Sequence, residues 1–403
     1  MISVNEIKVF VQKAWDRGDV LRGAATGEPQ FPLRLRFKKT GGQHAIESFA
    51  EVQRWLSELN LASKESIGFG FTVEYSEINH RKLGRQNLPT DIRFDTPEDI
   101  AKYLGKVKEF NGFFNVLRVT EDKFPLLHSW MNQHPTKVLP HLDDWHKILD
   151  VCEYVMKRPK PGIYLRQISL SGVDSKFFEL KKTILSEVLS VCLKENDYDG
   201  SITGLARCGF ERRFGFLYDQ PMIRFRILDK DIMPGFLHRD ISVPAGEFSK
   251  HEIPGCQLVV ITENKINGLA FPSLKGGIVI FGLGYGIGEI ASCSWLSDKR
   301  IIYWGDIDTH GYGILSMLRS KLPHVESILM GNQDLEVNRS LAVPEPMETR
   351  RTDDLTNLDS FEHQAYVRLL PGGDCEGMRI EQERIPFSTL LEAINFCLSP
   401  SRA

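Results

Sequence analysis

The stretch RIIYWGDIDTHGYGILSM, from Arg300 to Met317, decides how the C-terminal half of the chain is interpreted. An apolar run from Ile301 to Trp304 ends at Gly305, two aspartates follow at Asp306 and Asp308, and an amphipathic segment begins directly after them. This order predicts a buried strand, then an acidic loop, then a helix. Residues two apart in an extended backbone point to the same side, so the two carboxylates could share one cation.

The predicted strands place a third acid beside this pair. Four apolar runs separated by helical segments, at residues 257–261, 277–281, 300–304 and 325–330, predict a parallel sheet. Glu263 follows the first run as the aspartates follow the third, and ligands of such sheets bind at the carboxyl ends of the strands. Glu263 alone is also explained as an acid favoured at the start of a helix. Together, Glu263, Asp306 and Asp308 predict a site for a hard divalent cation. Gly305 and Gly311 are expected to let the backbone turn sharply beside these acids.

Length and composition limit the classes of protein that fit. The chain has 403 residues, more than one hydrophobic core usually serves, so two or three domains are expected. The net charge of −3 gives no global signal for nucleic acid, and any DNA-binding surface must be local. Seven scattered cysteines without a CxxC pair disfavour a disulfide framework or a zinc site and indicate a cytoplasmic setting. The sequence predicts neither a signal peptide nor a membrane span.

Two further regions precede the predicted sheet domain of residues 246–403. Residues 1–150 predict an α+β domain with helices at Val4–Asp16 and Ile46–Leu59 and a basic loop at Asn79–Asn87. Residues 151–245 predict a helical connector that leads to PMIRFRIL (221–228), a half-buried strand with arginines on its outer face. Such arginines are often solvated or paired with acids, but these residues are the densest candidates for contact with DNA. They are Arg212, Arg213, Arg224, Arg226 and Arg239.

Several residues near the three acids have both a functional and a structural interpretation. His310 could approach a phosphate, or it could simply lie in the first turn of the helix. Lys265 could face the same site as a DNA contact, or it could lie on the surface of a helix. Glu381 and Glu383 fall on one face of a predicted alternating strand, RIEQERI, where salt bridges to nearby arginines are expected in preference to binding of a second metal ion.

The glycines at 282, 284, 286 and 288 suggest an alternative, a dinucleotide-binding turn of a nicotinamide-dependent enzyme. The spacing is imperfect, because the sixth position of the pattern is Ile287 or Glu289 rather than glycine. This alternative would also leave Glu263 and one of the two aspartates unexplained. The glycines are therefore interpreted as a turn beside the metal site.

Longer strings resemble a known family. ITENKINGLAFP (261–272) and YWGDIDTHGYGIL (303–315), preceded by FERRFG and PMIRFRILD, resemble the JetD family, the nuclease subunits of the Wadjet anti-plasmid system. ISLSGVDSKFFE and RIEQERIP (379–386) resemble other parts of the same family. The pattern of Glu263 with Asp306 and Asp308 is similar to the Toprim fold of topoisomerases and primases.

The resemblance implies an α/β fold with a C-terminal Toprim-like parallel sheet flanked by helices. An α+β N-terminal arm and a winged-helix-like region, similar to the topoisomerase VI A subunit, would precede it. It also implies a homodimeric, Mg²⁺-dependent endonuclease that cuts circular plasmid DNA beside an SMC-type ATPase complex with kleisin and accessory subunits. The chain has no GxxxxGK[ST] motif, so partners would supply ATP hydrolysis. Two alternatives stay open: a non-catalytic DNA-binding assembly subunit, and a tyrosine transesterase of the topoisomerase VI A type.

Overall fold

The computed structural model describes residues 1–36, 49–80, 84–232, 239–282 and 287–399. The chain forms two compact units, Met1–Tyr218 and Asp219–Ala403. The finer division at residues 150 and 245 stays a prediction. Within the described ranges, no helix is both long and apolar enough to cross a membrane.

The N-terminal unit packs helices and a three-stranded antiparallel sheet around one core. Its first helix begins after Ser3, whose side chain and Glu6 form a reciprocal capping box, and it buries Ile7, Val11 and Trp15. Its helices are α1 (Val4–Asp16), α2 (Asp19–Thr26), α3 (Phe49–Leu61), α4 (Lys64–Ile67), α5 (Pro97–Leu104), α6 (Val107–Glu121), α7 (Pro125–Gln133), α8 (Pro135–Val138), α9 (Trp145–Lys157), α10 (Ser175–Cys192) and α11 (Gly209–Phe214). Its strands are β1 (Leu33–Arg36), β2 (Thr72–His80) and β3 (Gly84–Phe94), in the order β1-β3-β2.

The sequence predicts α1 with its observed bounds, but other predictions for this unit need correction. The basic loop predicted at Asn79–Asn87 is wrong where the structure describes it, because its described residues belong to β2 and β3, which pair antiparallel there, while residues 81–83 lie outside the described residues. The helix predicted to begin at Ile46 has described residues only from Phe49 onward, and it continues to Leu61.

The C-terminal unit is built on a six-stranded, mostly parallel sheet. Its strands are β4 (Met222–Ile227), β5 (Asp240–Pro244), β6 (Leu258–Thr262), β7 (Gly277–Phe281), β8 (Arg300–Trp304) and β9 (Glu326–Ser327), in the order β5-β4-β7-β6-β8-β9. Its helices are α12 (Ala245–Lys250), α13 (Lys265–Ala270), α14 (Ile287–Ala291), α15 (Thr309–Arg319), α16 (Asn332–Val337), α17 (Ser360–Leu369) and α18 (Phe387–Cys397). A two-stranded ribbon of β10 (Val343–Pro344) and β11 (Met378–Arg379) completes it.

The parallel part of the sheet confirms the predicted α/β character of this half. Strands β6 and β7 are buried along their whole length, as expected for strands covered on both faces. The last predicted strand, 325–330, is wrong in length, since only Glu326–Ser327 pairs with β8. Strand β4, from the region predicted as a connector, joins the same sheet antiparallel to β7. Its Ile223, Phe225 and Ile227 are buried, which confirms the alternation predicted for PMIRFRIL.

Candidate active site

The three predicted acids lie at one edge of the parallel sheet. Strands β6 and β8 are neighbours in register, with Thr262 opposite Trp304, so Glu263 and the loop that holds Asp306 leave the sheet side by side. The backbone N–H of Asp306 donates to Oε1 of Glu263 at 3.3 Å. Parallel strands therefore bring together residues 43 positions apart in sequence.

Asp308 begins the helix that follows the acidic loop. It is the N-cap of α15, and its Oδ1 accepts a hydrogen bond of 2.6 Å from the backbone N–H of Gly311. A Cβ at Gly311 would lie 2.2 Å from the carbonyl oxygen of Asp306, and one at Gly305 would lie 2.4 Å from Oη of Tyr303. Neither glycine has a positive φ, so the prediction of glycine-specific turns is wrong. Glycine is required at both positions because the acidic loop packs too closely for a side chain.

An arginine from a distant part of the chain lies between the two aspartates. Nη2 of Arg379 is 2.7 Å from Oδ2 of Asp306, and its Nε is 3.3 Å from Oδ2 of Asp308. The side chains of Asp306 and Asp308 are 12% and 6% exposed, so this guanidinium compensates carboxylates that water barely reaches. Across the described residues, no three His, Cys, Asp or Glu side chains are arranged to hold a metal ion.

The charges at this edge are only partly compensated. Burial, together with the neighbouring charges of Asp306 and Asp308, raises the pKa of Glu263 to about 7. Burial also raises the pKa of Asp308 to about 7, and repulsion from Asp306 and Glu345 adds to the effect. A bound cation would stabilise the charged form of these carboxylates. Their oxygen atoms are also the type of ligand that hard divalent metals prefer, so the chemistry of the three side chains fits such a metal.

The remaining predicted neighbours lie around this edge in different settings. Lys265 is the exposed first residue of α13, and His310 is exposed in the first turn of α15. The strand predicted for RIEQERI is wrong, because only its first residue belongs to β11 and a 3₁₀ turn forms at Gln382–Arg384. The salt bridges predicted there are confirmed for Glu381, whose carboxylate pairs with Arg384 at 3.0 Å and Arg379 at 3.4 Å. Glu383 instead accepts from Nδ2 of Asn264 at 2.7 Å.

The arginines predicted to contact DNA are mostly engaged within the fold. Arg213 donates to Ser190 and to the carbonyl of Ile202. Arg224 pairs with Asp240 and lies over the ring of Phe281. Arg226 donates to the carbonyl of Phe271. Arg212 and Arg239 are exposed.

These five arginines do not belong to one unit. Arg212 and Arg213 lie in the N-terminal unit, and the other three lie in the C-terminal unit. Contact of these arginines with DNA stays a prediction. The glycine-rich turn of the nicotinamide alternative falls mostly on residues 283–286, outside the described residues.

Four residues that the sequence reasoning did not assign complete the surroundings of the acids. Tyr303 is fully buried and its hydroxyl donates to Oε1 of Glu263 at 2.7 Å; a tyrosine inside a buried strand is itself a signal of a polar partner. Oε1 of Glu345 accepts from Thr309 at 2.7 Å, while its Oε2 is buried without a hydrogen-bond partner. The local sequence indicates Arg379 only as a partner of the nearby glutamates, whereas its guanidinium also contacts both aspartates. Gln382 donates its backbone N–H to Oδ1 of Asp306 at 2.9 Å, and nothing in its local sequence indicates this.

Comparison with protein families covers most of the chain. A family model described as "Wadjet protein JetD, C-terminal" matches residues 215–394. A second, described as the N-terminal part of an uncharacterized protein conserved in bacteria, matches residues 4–190. No curated protein matches the chain.

Proposed function

The chain belongs to the JetD family of Wadjet proteins, and we propose that it is the DNA-cleaving subunit of a Wadjet-type anti-plasmid system. In this proposal it is a metal-dependent endonuclease that hydrolyses phosphodiester bonds of closed circular DNA. The observation that carries the proposal is the meeting of Glu263, Asp306 and Asp308 at the carboxyl ends of β6 and β8. That edge is where parallel α/β sheets bind their ligands.

Glu263, Asp306 and Asp308 would hold Mg²⁺, or Mn²⁺ in its place. The bound cation would neutralise the charge that develops on the scissile phosphate. Glu263 would be either a ligand of the cation or the general base that accepts a proton from the attacking water. The N–H groups of Gln382 and Gly311, with Arg379, orient the two aspartates.

Tyr303 is not suited to act as a nucleophile. The tyrosine hydroxyl bonded to the acids belongs to Tyr303, which is fully buried and donates to Glu263. Burial and the neighbouring acids raise its pKa well above the usual value, which disfavours the phenolate that would attack phosphorus. In this proposal Tyr303 therefore orients Glu263 rather than acting as a nucleophile.

The finer features of the proposal follow the family. The six-stranded sheet would be a Toprim domain, and residues 151–245 would include a winged-helix-like DNA-binding region. Arg212, Arg213, Arg224, Arg226, Lys265 and His310 are the candidates for DNA contact. The protein would act in the cytoplasm as a homodimer, with an SMC-type ATPase, a kleisin and accessory subunits as partners that present plasmid DNA.

The test compares wild-type protein with Glu263→Gln and Asp306→Asn on supercoiled circular DNA with Mg²⁺, with and without the SMC partners. Both substitutions keep the shape of the side chain and remove its charge. Glu392→Gln is the matched control, since Glu392 is exposed on α18. We expect cleavage by the wild type and the control and none by the two site variants. Equal cleavage by all four proteins, or by none with partners present, would refute the proposal.

A second candidate function is a non-catalytic DNA-binding assembly subunit with a structural sheet domain. The observation that favours it is the contact of Arg379 with both aspartates, because an internal arginine can neutralise acids without any metal. In that case Glu263→Gln would leave plasmid cleavage by the whole assembly intact. Substitution of Arg224 or Arg226 would instead abolish formation of the complex.

A further inference from the structure

Gln382 connects the two strand ends that carry the acids. Its side chain is 1% exposed. The amide oxygen Oε1 accepts from Oγ1 of Thr262 at 2.9 Å and from the backbone N–H of Asn264 at 3.0 Å, the two residues that flank Glu263. The amide nitrogen Nε2 donates to the carbonyl of Trp304, the last residue of β8. One side chain therefore bonds to the ends of both strands.

The backbone of the same residue contacts one of the acids directly. The N–H of Gln382 donates to Oδ1 of Asp306, whose Oδ2 is held by Arg379. Both oxygens of this carboxylate thus have a fixed partner. The Gln382 side chain also bonds to the residues before and after Glu263. Gln382 therefore contacts the chain around both acids.

Only a primary amide of this length satisfies all of these groups. Oε1 accepts from Thr262, from Asn264 and, at 3.5 Å, from Nδ2 of Asn267, while Nε2 donates to a carbonyl, so the site needs an acceptor and a donor on one planar group. Glutamate would place an oxygen against the carbonyl of Trp304 and add charge beside the acids. Methionine would leave the groups at Thr262, Asn264 and Trp304 buried without partners.

The sheet itself does not fix this separation. The paired residues of β6 and β8 end at Thr262 and Trp304, and the acids lie beyond that point. The direct link from Asp306 N–H to Glu263 is a long hydrogen bond of 3.3 Å. The hydrogen bonds of Gln382 to Thr262 and Asn264 are shorter, and Gln382 lies 120 and 118 residues away from them in sequence.

We infer that Gln382 is a positioning residue that fixes the chain around Glu263 and Asp306, and thereby supports binding of a divalent cation by these carboxylates. The inference rests on the proposed function, because it assigns those carboxylates to a metal. Gln382 acts through the two strand ends and is not itself a ligand. Partners of this kind around metal ligands typically contribute about 10- to 100-fold to metal affinity.

The test measures the Kd of Mn²⁺ for the full chain by calorimetry, with wild type and Gln382→Met. Glu362→Gln is the control for a merely structural effect: Glu362 is 1% exposed in the same unit and pairs with Arg319 rather than with the acids. We expect Gln382→Met to weaken Mn²⁺ binding by about 10- to 100-fold. Glu362→Gln should bind Mn²⁺ within about twofold of wild type while unfolding more easily.

A double-mutant cycle distinguishes loss of the Gln382–Thr262 contact from an unspecific loss of Mn²⁺ affinity. Thr262→Val removes one bond to Gln382, so it should weaken Mn²⁺ binding several-fold alone and add little in the Gln382→Met background. If each substitution reduces Mn²⁺ affinity by the same factor in both backgrounds, so that the factors multiply in the double variant, the inference is overturned. If Gln382→Met does not fold, Thr262→Val decides alone, and wild-type affinity in that variant would overturn the inference.

The remaining outcomes separate this inference from the proposed function. If wild type binds Mn²⁺, Asp306→Asn abolishes binding, and Gln382→Met binds normally, only the positioning role is refuted. The same holds if Glu362→Gln weakens binding as much as Gln382→Met does. If wild type fails to bind Mn²⁺, or Asp306→Asn binds it equally well, the metal site is refuted and the inference fails with it.

Discussion

Replacing Arg379 by methionine tests whether the two aspartates depend on an internal cation. The substitution keeps an unbranched, largely apolar stem and removes the charge, so Asp306 and Asp308 lose the guanidinium that contacts Oδ2 of each. Removing one partner of a buried ion pair costs about 3–5 kcal/mol. Each aspartate keeps one backbone N–H, and Arg379 is 28% exposed, so we expect the lower end, about 3 kcal/mol.

Urea denaturation at pH 8 with a chelator measures this cost against a matched control. Arg384 lies five residues further along, is 44% exposed and pairs with Glu381, so Arg384→Met should cost only about 0–1 kcal/mol. The expected difference between the two variants, about 2–3 kcal/mol, is roughly a 30- to 150-fold change in the folding equilibrium. If the two variants lose equal stability, the account of Arg379 as the compensating charge is wrong.

The cost of Arg379→Met should also depend on pH and on divalent cations. Arg379 lowers the pKa of Asp308, so its removal raises that pKa above its value of about 7. The contribution of Asp308 to the penalty is then complete above the raised pKa of the variant and is lost as the pH falls below about 7, because Asp308 becomes neutral. Mn²⁺ at about 100 times its Kd should restore about 2.7 kcal/mol at pH 8. A penalty that is constant from pH 8 to pH 5 would contradict this reasoning.

Three further predictions concern other positions. Gly311→Ala should strongly destabilise the C-terminal unit, because a Cβ there meets a main-chain oxygen of the acidic loop at 2.2 Å, whereas Gly288→Ala has open space and should be neutral or stabilising in thermal unfolding. Hydrogen bonds from lysines, chiefly Lys181, lower the pKa of Asp144 to about 2. Asp144→Asn should therefore destabilise the protein fully at pH 6 and progressively less below pH 4, as urea titrations at each pH would show. Tyr303→Phe should raise the pKa of Glu263 further by removing a hydrogen bond, and the pH profile of DNA cleavage should shift to higher pH.

The strands and the acidic edge of the sheet could be predicted because their signals are local. An uninterrupted apolar run predicts a strand buried on both faces, and β7 and β8 have the predicted bounds. The carboxyl ends of neighbouring parallel strands meet at one edge, so the approach of Glu263 to Asp306 follows from strand order. Capping by Asp308 follows from an acid before a helical pattern.

The failures of prediction have a common physical origin in contacts between distant segments. In RIEQERIP, alternation suggested a strand, but the chain turns at Gln382 because its amide bonds to two strand ends. Arg379 and Asp306 are 73 residues apart, and no periodicity within either segment indicates their pairing. The partners of the β4 arginines were not predictable for the same reason: Arg224 pairs with Asp240, and Arg226 donates to the carbonyl of Phe271, while DNA contact by both stays a prediction.

The spacing of the acids alone therefore does not distinguish a metal-dependent nuclease from a structural sheet domain. Three carboxylates at a sheet edge bind a cation in either case, and Arg379 shows that the cation can be a side chain. What differs is the response to geometry: Arg379 can follow a displaced carboxylate by changing its own side-chain conformation, whereas Mg²⁺ demands near-ideal positions of its oxygen ligands. A buried amide that fixes both strand ends is consequently expected where the cation is a metal and is superfluous where it is an arginine. Gln382 bonds to the residues on both sides of Glu263, so its replacement should impair a metal-dependent function and leave a structural sheet domain able to serve its role.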